Sequence, residues 1–189
     1  VDSCTSISAT GRRAPASIVF KGAMLPSAVV IAVFWWVHWR WLSVHDGLRR
    51  RTAWMLVLGW LACLGLVLYV SVLGEIGDLW RTQRRIGTIL FFSFTFLAQL
   101  LLAAGLRDVA PEASGLAARV GGRLLRVCLL MLLLGVFSVV VQAISEDWHD
   151  AIEDAIEWQL ALLLQLNFLL CVPLWWRTPW RLAFAHDGR

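Results

Sequence analysis

The sequence predicts an all-α polytopic membrane bundle, on three observations: five long apolar runs, a low charge content, and arginines that alternate heavy and light between the runs. The runs are residues 22–39, 53–74, 86–106, 127–144 and 158–176, and none contains Lys, Arg, Asp or Glu. A helix crossing the ~30 Å hydrocarbon layer needs about 20 such residues. Charged residues make up 16% of the chain and the mean hydropathy is +0.71, whereas soluble domains carry about 25% charged residues. Lipid offers the backbone no hydrogen-bond partner, so runs this long imply helices; barrel strands would be ~10 residues long and alternating. One membrane domain over residues 1–189 follows, with an outer loop at 1–21 and a cytosolic tail at 177–189. The remaining loops are too short and charged to bury a separate soluble core.

The arginine pattern orients the bundle. The loop 38–52 carries Arg40, Arg49, Arg50 and Arg51; the loop 107–126 carries Arg107, Arg119, Arg123 and Arg126; the tail carries Arg177, Arg181 and Arg189. These segments hold eleven of the seventeen basic residues. Positive charge concentrates on the cytosolic side, so the carboxyl tail is expected there and the amino end outside or in a lumen. The basic residues flank apolar runs instead of lining one amphipathic face, which accounts for the net charge of +4 without a nucleic-acid partner. The expected partner is the lipid bilayer, together with lipid head groups or other membrane proteins.

Taken in order, the polar opening lacks the apolar core of a signal peptide, and Gly11 and Pro15 mark it as turn-rich. Its placement outside calls for an upstream span or a reverse anchor. The first span carries Pro26 near its outer end and closes on Trp35, Trp36, Trp39 and Trp41. With Trp54, Trp80, Trp148, Trp158, Trp175, Trp176 and Trp180, these are expected to form interfacial belts that fix depth. In the second span Gly59, Ala62 and Gly65 form a small-residue seam that permits close helix packing. Pro111, Ser114 and Gly115 make a cytosolic connector that re-enters helix near Arg119. Cys63, Cys128 and Cys171 lie inside spans and read as small hydrophobes; Cys4 has no paired partner spacing.

Polar side chains inside spans are the first candidates for function. Gln99, Gln142, Gln165 and Asn167 qualify, and amides serve best as interhelical hydrogen bonds of ~1 kcal/mol. The sharpest local feature is the acidic segment 145–158, an outer loop leading directly into the last span. If helical, it sets Trp148, Ile152 and Ile156 on one face and His149 four residues from Glu153, with Glu146 and Asp150 nearby. A solvated collar and a cation or proton-sensing site both fit that pattern. Glu157, at the mouth of the span, suits helix capping, pairing with Arg84 or Arg85, or a lipid head group. Nucleophile-elbow, zinc-protease, phosphate-loop and dinucleotide motifs are all missing. His38, His45, His149 and His186 are divided between the two faces and read as interfacial or solvated. No catalytic, metal or cofactor residue is expected, and the protein reads as non-enzymatic.

Four pieces in order resemble the Frag/DRAM/Sfk family of multi-pass proteins, which includes the damage-regulated autophagy modulators. Ile7-Ser8-Ala9-Thr10-Gly11 followed by Pro15 is similar to that family's first outer loop, with Ala9 and Ala16 in place of its two acids. Gly59 with Cys63-Leu64-Gly65-Leu66 resembles its G-x-x-x-x-L-G-L helix. Arg84-Arg85-Ile86-Gly87-Thr88 resembles H-x-x-G-A, with Arg84 where histidine is usual, and Ala155-Ile156-Glu157-Trp158 resembles the Glu-Trp opening of its last span. The resemblance covers residues 7–176 and implies a six-span protein of which the present runs are spans two to six. It also implies a lysosomal or other endomembrane protein that modulates autophagy or, alternatively, one concerned with lipids, through anchor-lipid remodelling or membrane lipid organisation. A structural partner that packs through Gly59 and Gly65 is a third reading. The outer-face patch Thr10, Gly11, Pro15, Arg84, Gly87, Glu157 and Trp158 is the candidate functional surface.

Overall fold

The computed structural model describes residues 7, 11, 14–45, 47–109 and 115–177. Every regular element among them is helical: α1 Ala16–Leu42, α2 Arg49–Ser71, α3 Asp78–Asp108, α4 Leu116–Ile144, α5 Glu146–Leu170 and a short α6 Val172–Arg177. Among the described residues, five helical segments are long and apolar enough to cross a membrane, the fifth being Glu146–Trp176. This is the polytopic all-α architecture that the apolar runs imply.

The helices overrun most of the apolar runs, because polar flanks continue the helical backbone into the interface. α3 starts at Asp78 and α4 at Leu116, each well before its run begins. α2 ends early instead, at Ser71, where Gly74 and Gly77 adopt φ of +96° and +136° and turn the chain. The acidic segment 145–158 is not a loop. Ser145 alone separates α4 from α5; its extended backbone breaks the helix and its hydroxyl accepts from the Trp148 N–H at 3.3 Å. Glu146 and Asp147 then occupy the first turn, where negative charge opposes the helix dipole. Pro173, which has no N–H to donate, lies just past the break between α5 and α6 at Cys171.

Consecutive helices are the main neighbours, α2 against α3 most extensively. Gly65 and Gly87 make that crossing close. A Cβ added at Gly87 would lie 2.7 Å from both Gly65 O and Tyr69 N, and one at Gly65 would lie 2.8 Å from Phe91 N. Helices in lipid gain nothing from hydrophobic exclusion, so close backbone contact of this kind supplies the association. Gly121 plays the same part between α4 and α3, its added Cβ 2.8 Å from Ala103 O. Gly59 faces a different partner from Gly65. Its missing side chain makes room for the indole of Trp35 on α1. The single seam expected from the sequence is thus two contacts on two neighbours.

Trp35 is 0% exposed and therefore packs the core instead of anchoring the interface. It belongs to an aromatic cluster that joins α1 to α5 and α6: Phe34 lies 4.9 Å from Phe168 and 5.6 Å from Trp175, ring centre to ring centre. His38 completes the cluster and is also 0% exposed, which overturns its expected interfacial place. Its Nδ1 lies 2.9 Å from Phe34 O, and its Nε2 lies 3.4 Å from Trp175 Nε1. The indole can only donate, so Nε2 accepts and the ring is a neutral Nδ1–H tautomer. Both polar edges are satisfied inside the bundle.

The second buried polar feature is an amide pair. Asn167 Nδ2 donates to Gln99 Oε1 at 2.7 Å, and Gln99 Nε2 donates to Leu164 O at 3.0 Å, which ties α3 to α5. Cys128 and Cys171 pack against Asn167. Of the four in-span amides, these two meet as expected, whereas Gln142 and Gln165 are exposed. Asn167→Leu is expected to lower stability in detergent by about 1–2 kcal/mol, because it strands Gln99 Oε1 without a donor. The double replacement Gln99→Leu/Asn167→Leu should recover most of that loss. A double-mutant cycle read by reversible denaturation measures the coupling, and additive losses would contradict the pair.

Candidate functional site

The end of the bundle that holds the α3 and α5 N-termini contains a cleft in three connected parts. An apolar groove of about 520 Å³ runs between α3 and α4 and is lined by Phe92, Phe96, Met131, Gly135, Val136 and Leu160, among others. Sharing Phe92, Ser93 and Leu160 with it, a second recess of about 440 Å³ adds Thr88, Ser138, Glu153 and Glu157. A small chamber of about 100 Å³ shares Thr88, Phe92 and Glu157 and reaches Tyr69, Gln165 and Ile7. The cleft is apolar toward the membrane middle and carboxylate- and hydroxyl-lined toward the interface.

Helix geometry explains the arrangement. Thr88 and Phe92 are four residues apart on α3, Glu153, Glu157 and Leu160 repeat at steps of three to four on α5, and Gly135 and Ser138 are three apart on α4. Gly135 has no neighbour within 4 Å of an added Cβ. Unlike Gly65, Gly87 and Gly121, it admits no helix; it widens the groove. The polar rim is ordered by His149, whose Nε2 lies 3.4 Å from Ser138 Oγ and whose Nδ1 lies 3.5 Å from Glu153 Oε2. Asp150 also approaches, at 4.0 Å. His149, Asp150 and Glu153 place ligand-type atoms within 4.8 Å of one another, which is the cation-type cluster the i, i+4 spacing suggested; Glu146 is not one of that trio.

The outer-face patch drawn from the sequence is divided. Glu157 lines the cleft, and Gly87 sits one residue from Thr88 but works in the α2–α3 crossing. The Arg84 guanidinium donates to Glu75 O at 2.8 Å and Val72 O at 3.4 Å, just past the end of α2. Gly11 is buried, and an added Cβ would lie 3.0 Å from Leu73 Cδ2. Pro15 and Trp158 are exposed, and Thr10 lies outside the described residues. Sequence reasoning missed Ser138 and Gly135 entirely. Ser138 is a single hydroxyl in an apolar run, and only its spacing of eleven from His149 across the Ser145 break would have drawn attention to it.

The Frag1/DRAM/Sfk1/Cwh43P N-terminal domain matches residues 2–175. The chain belongs to this family. Neither a curated protein nor a solved structure is matched by it. Membership of the Frag1/DRAM/Sfk1/Cwh43P family agrees with the multi-pass helical architecture and spans every element that builds the cleft. The helices α1 to α5, all of which contribute to the lining of the cleft, fall inside the family domain.

Proposed function

We propose that this protein handles membrane lipid, holding an acyl chain in the α3–α4 groove with its polar end at Glu157, Thr88 and Ser138. The observation that carries this reading is the continuity of a 520 Å³ apolar groove with a carboxylate-lined recess at one end of the bundle. A groove in the range of about 300–1,000 Å³ suits a small amphiphile, and its opening between helices admits one laterally from the bilayer. Binding alone meets this reading, with no catalytic step. The cleft end is assigned to the lumenal or outer face and the carboxyl tail to the cytosol, on the arginine asymmetry. An endomembrane location, lysosomal or otherwise, and an influence on autophagy come from the family resemblance, as downstream effects of lipid handling.

The test is photolabelling of the reconstituted chain with a lipid that carries a diazirine in its acyl chain. Adducts should concentrate on Phe92, Phe96 and Val136. The outward face of α2, where Val57, Leu61 and Leu64 are 45%, 39% and 59% exposed, should be labelled at least fivefold less. Equal labelling of both faces would reduce the groove to ordinary lipid-facing surface.

A further inference from the structure

The cleft contains a chain of three side chains in the order that nucleophilic catalysis requires. Ser138 Oγ faces His149 Nε2 at 3.4 Å, and the opposite ring nitrogen faces Glu153 Oε2 at 3.5 Å. An activated serine needs a base within hydrogen-bond reach and a third group to orient that base, with looser distances usual before substrate binds. The side chain of His149 is 15% exposed and that of Glu153 56%, so the imidazole is held between helices while the carboxylate reaches it from the rim. Ser138 and Glu153 both line the recess that opens into the apolar groove. A hydroxyl nucleophile thus stands where the polar end of a groove-bound lipid would lie.

Resting on the lipid-binding reading above, we propose that Ser138, His149 and Glu153 form a serine-dependent site that hydrolyses acyl esters of lipids. Ser138 Oγ attacks the ester carbonyl carbon and passes its proton to His149 Nε2. The carbon–oxygen bond to the leaving alcohol then breaks, and that oxygen takes the proton from Nε2, leaving an acyl-serine. Water attacks the acyl carbon, again giving its proton to Nε2; the carboxylic acid departs and Ser138 Oγ recovers the proton. Ser138 and His149 are the catalytic residues, whereas Glu153 is a positioning residue that holds the ring with Nδ1–H toward itself. Thr88 and Ser93 also line this recess and bring hydroxyl groups to it, the type of donor that stabilises a developing oxyanion.

No local serine-hydrolase motif announces this site, and its three members are brought together only by the Ser145 break and the first turns of α5. Among the described residues, those lining the recess include Glu153 and Glu157, while Arg84 and Lys21 both donate to carbonyls at or just beyond the end of α2.

The test uses the full chain in lipid nanodiscs, a fluorophosphonate probe for activated serines, and a fluorogenic long-chain ester. Ser138 should carry the probe, and Ser138→Ala or His149→Ala should lower ester hydrolysis at least 100-fold with the melting temperature unchanged. Glu153→Gln should lower kcat about tenfold and leave KM unaltered, with Glu153→Asp restoring part of it; a merely structural role would not divide kcat from KM. An unlabelled Ser138, or hydrolysis that survives Ser138→Ala, would overturn the proposal. If photolabelling of the groove persists in that case, lipid binding stands and only the hydrolytic step falls; if the groove is unlabelled too, both fall.

Discussion

Gly87→Leu is expected to break the α2–α3 crossing and to cost more stability than Asn167→Leu. The added Cβ would meet Gly65 O and Tyr69 N at 2.7 Å and Tyr69 Cα at 2.9 Å. All three are backbone atoms, so no rotamer change relieves the overlap; the two helices must move apart. Separation would in turn unpack Leu66 and Phe91, which are buried near the same crossing. Overpacking a well-packed interior costs about 1–3 kcal/mol and sometimes more, and backbone overlap on two sides places Gly87→Leu at or above the upper figure. Gly122→Leu is the matched control, since nothing lies within 4 Å of a Cβ there. Thermal unfolding in detergent should show a marked fall for Gly87→Leu and little change for Gly122→Leu. Equal melting of the two would contradict the close crossing.

The spans were legible in the sequence because lipid imposes one rule on every residue of a crossing helix, and five uncharged runs obey it. Helix ends were less so. Hydropathy marks where a chain enters lipid, whereas the helix starts at Asp78, after the Gly77 turn, and at Glu146, after the Ser145 cap, follow backbone geometry that hydropathy does not register. The burial of Trp35 and His38 was hidden for a related reason: aromatic residues near a span end suit a belt and a core equally, and it is the gap left by Gly59 that takes the Trp35 indole while Phe34 and Trp175 stack on His38. Glu157 was legible because a carboxylate at a span mouth is conspicuous. Topology alone offers Arg84 or Arg85 as its partner, and it carries no sign of the carbonyls of Val72 and Glu75 to which the Arg84 guanidinium donates. Ser138 and Gly135 carry no sequence signal of their own, since one hydroxyl and one glycine in an apolar helix are commonplace until a neighbouring helix is placed against them.

Gly135→Leu is the second large effect, and it bears on function instead of folding. Glycine inside a helix costs roughly 1 kcal/mol relative to a good helix former, and Gly135 has open space within 4 Å where a Cβ would go. Leucine there should leave stability equal or slightly raised while its side chain fills part of the 520 Å³ groove beside Val136 and Met131. Filling a groove by several carbon atoms excludes an acyl chain from that volume. Lipid retention should fall at least tenfold, without the loss of fold that Gly87→Leu produces. Gly122→Leu again serves as the control, because Gly122 does not line the three parts of the cleft.

The most direct measurement is native mass spectrometry of the purified chain, recording lipid that survives delipidating detergent. One retained lipid adduct is expected on the unaltered protein and on Gly122→Leu, and its loss from Gly135→Leu at unchanged melting temperature. An adduct of equal abundance on Gly135→Leu, or none on the unaltered chain, would contradict a lipid site between α3 and α4.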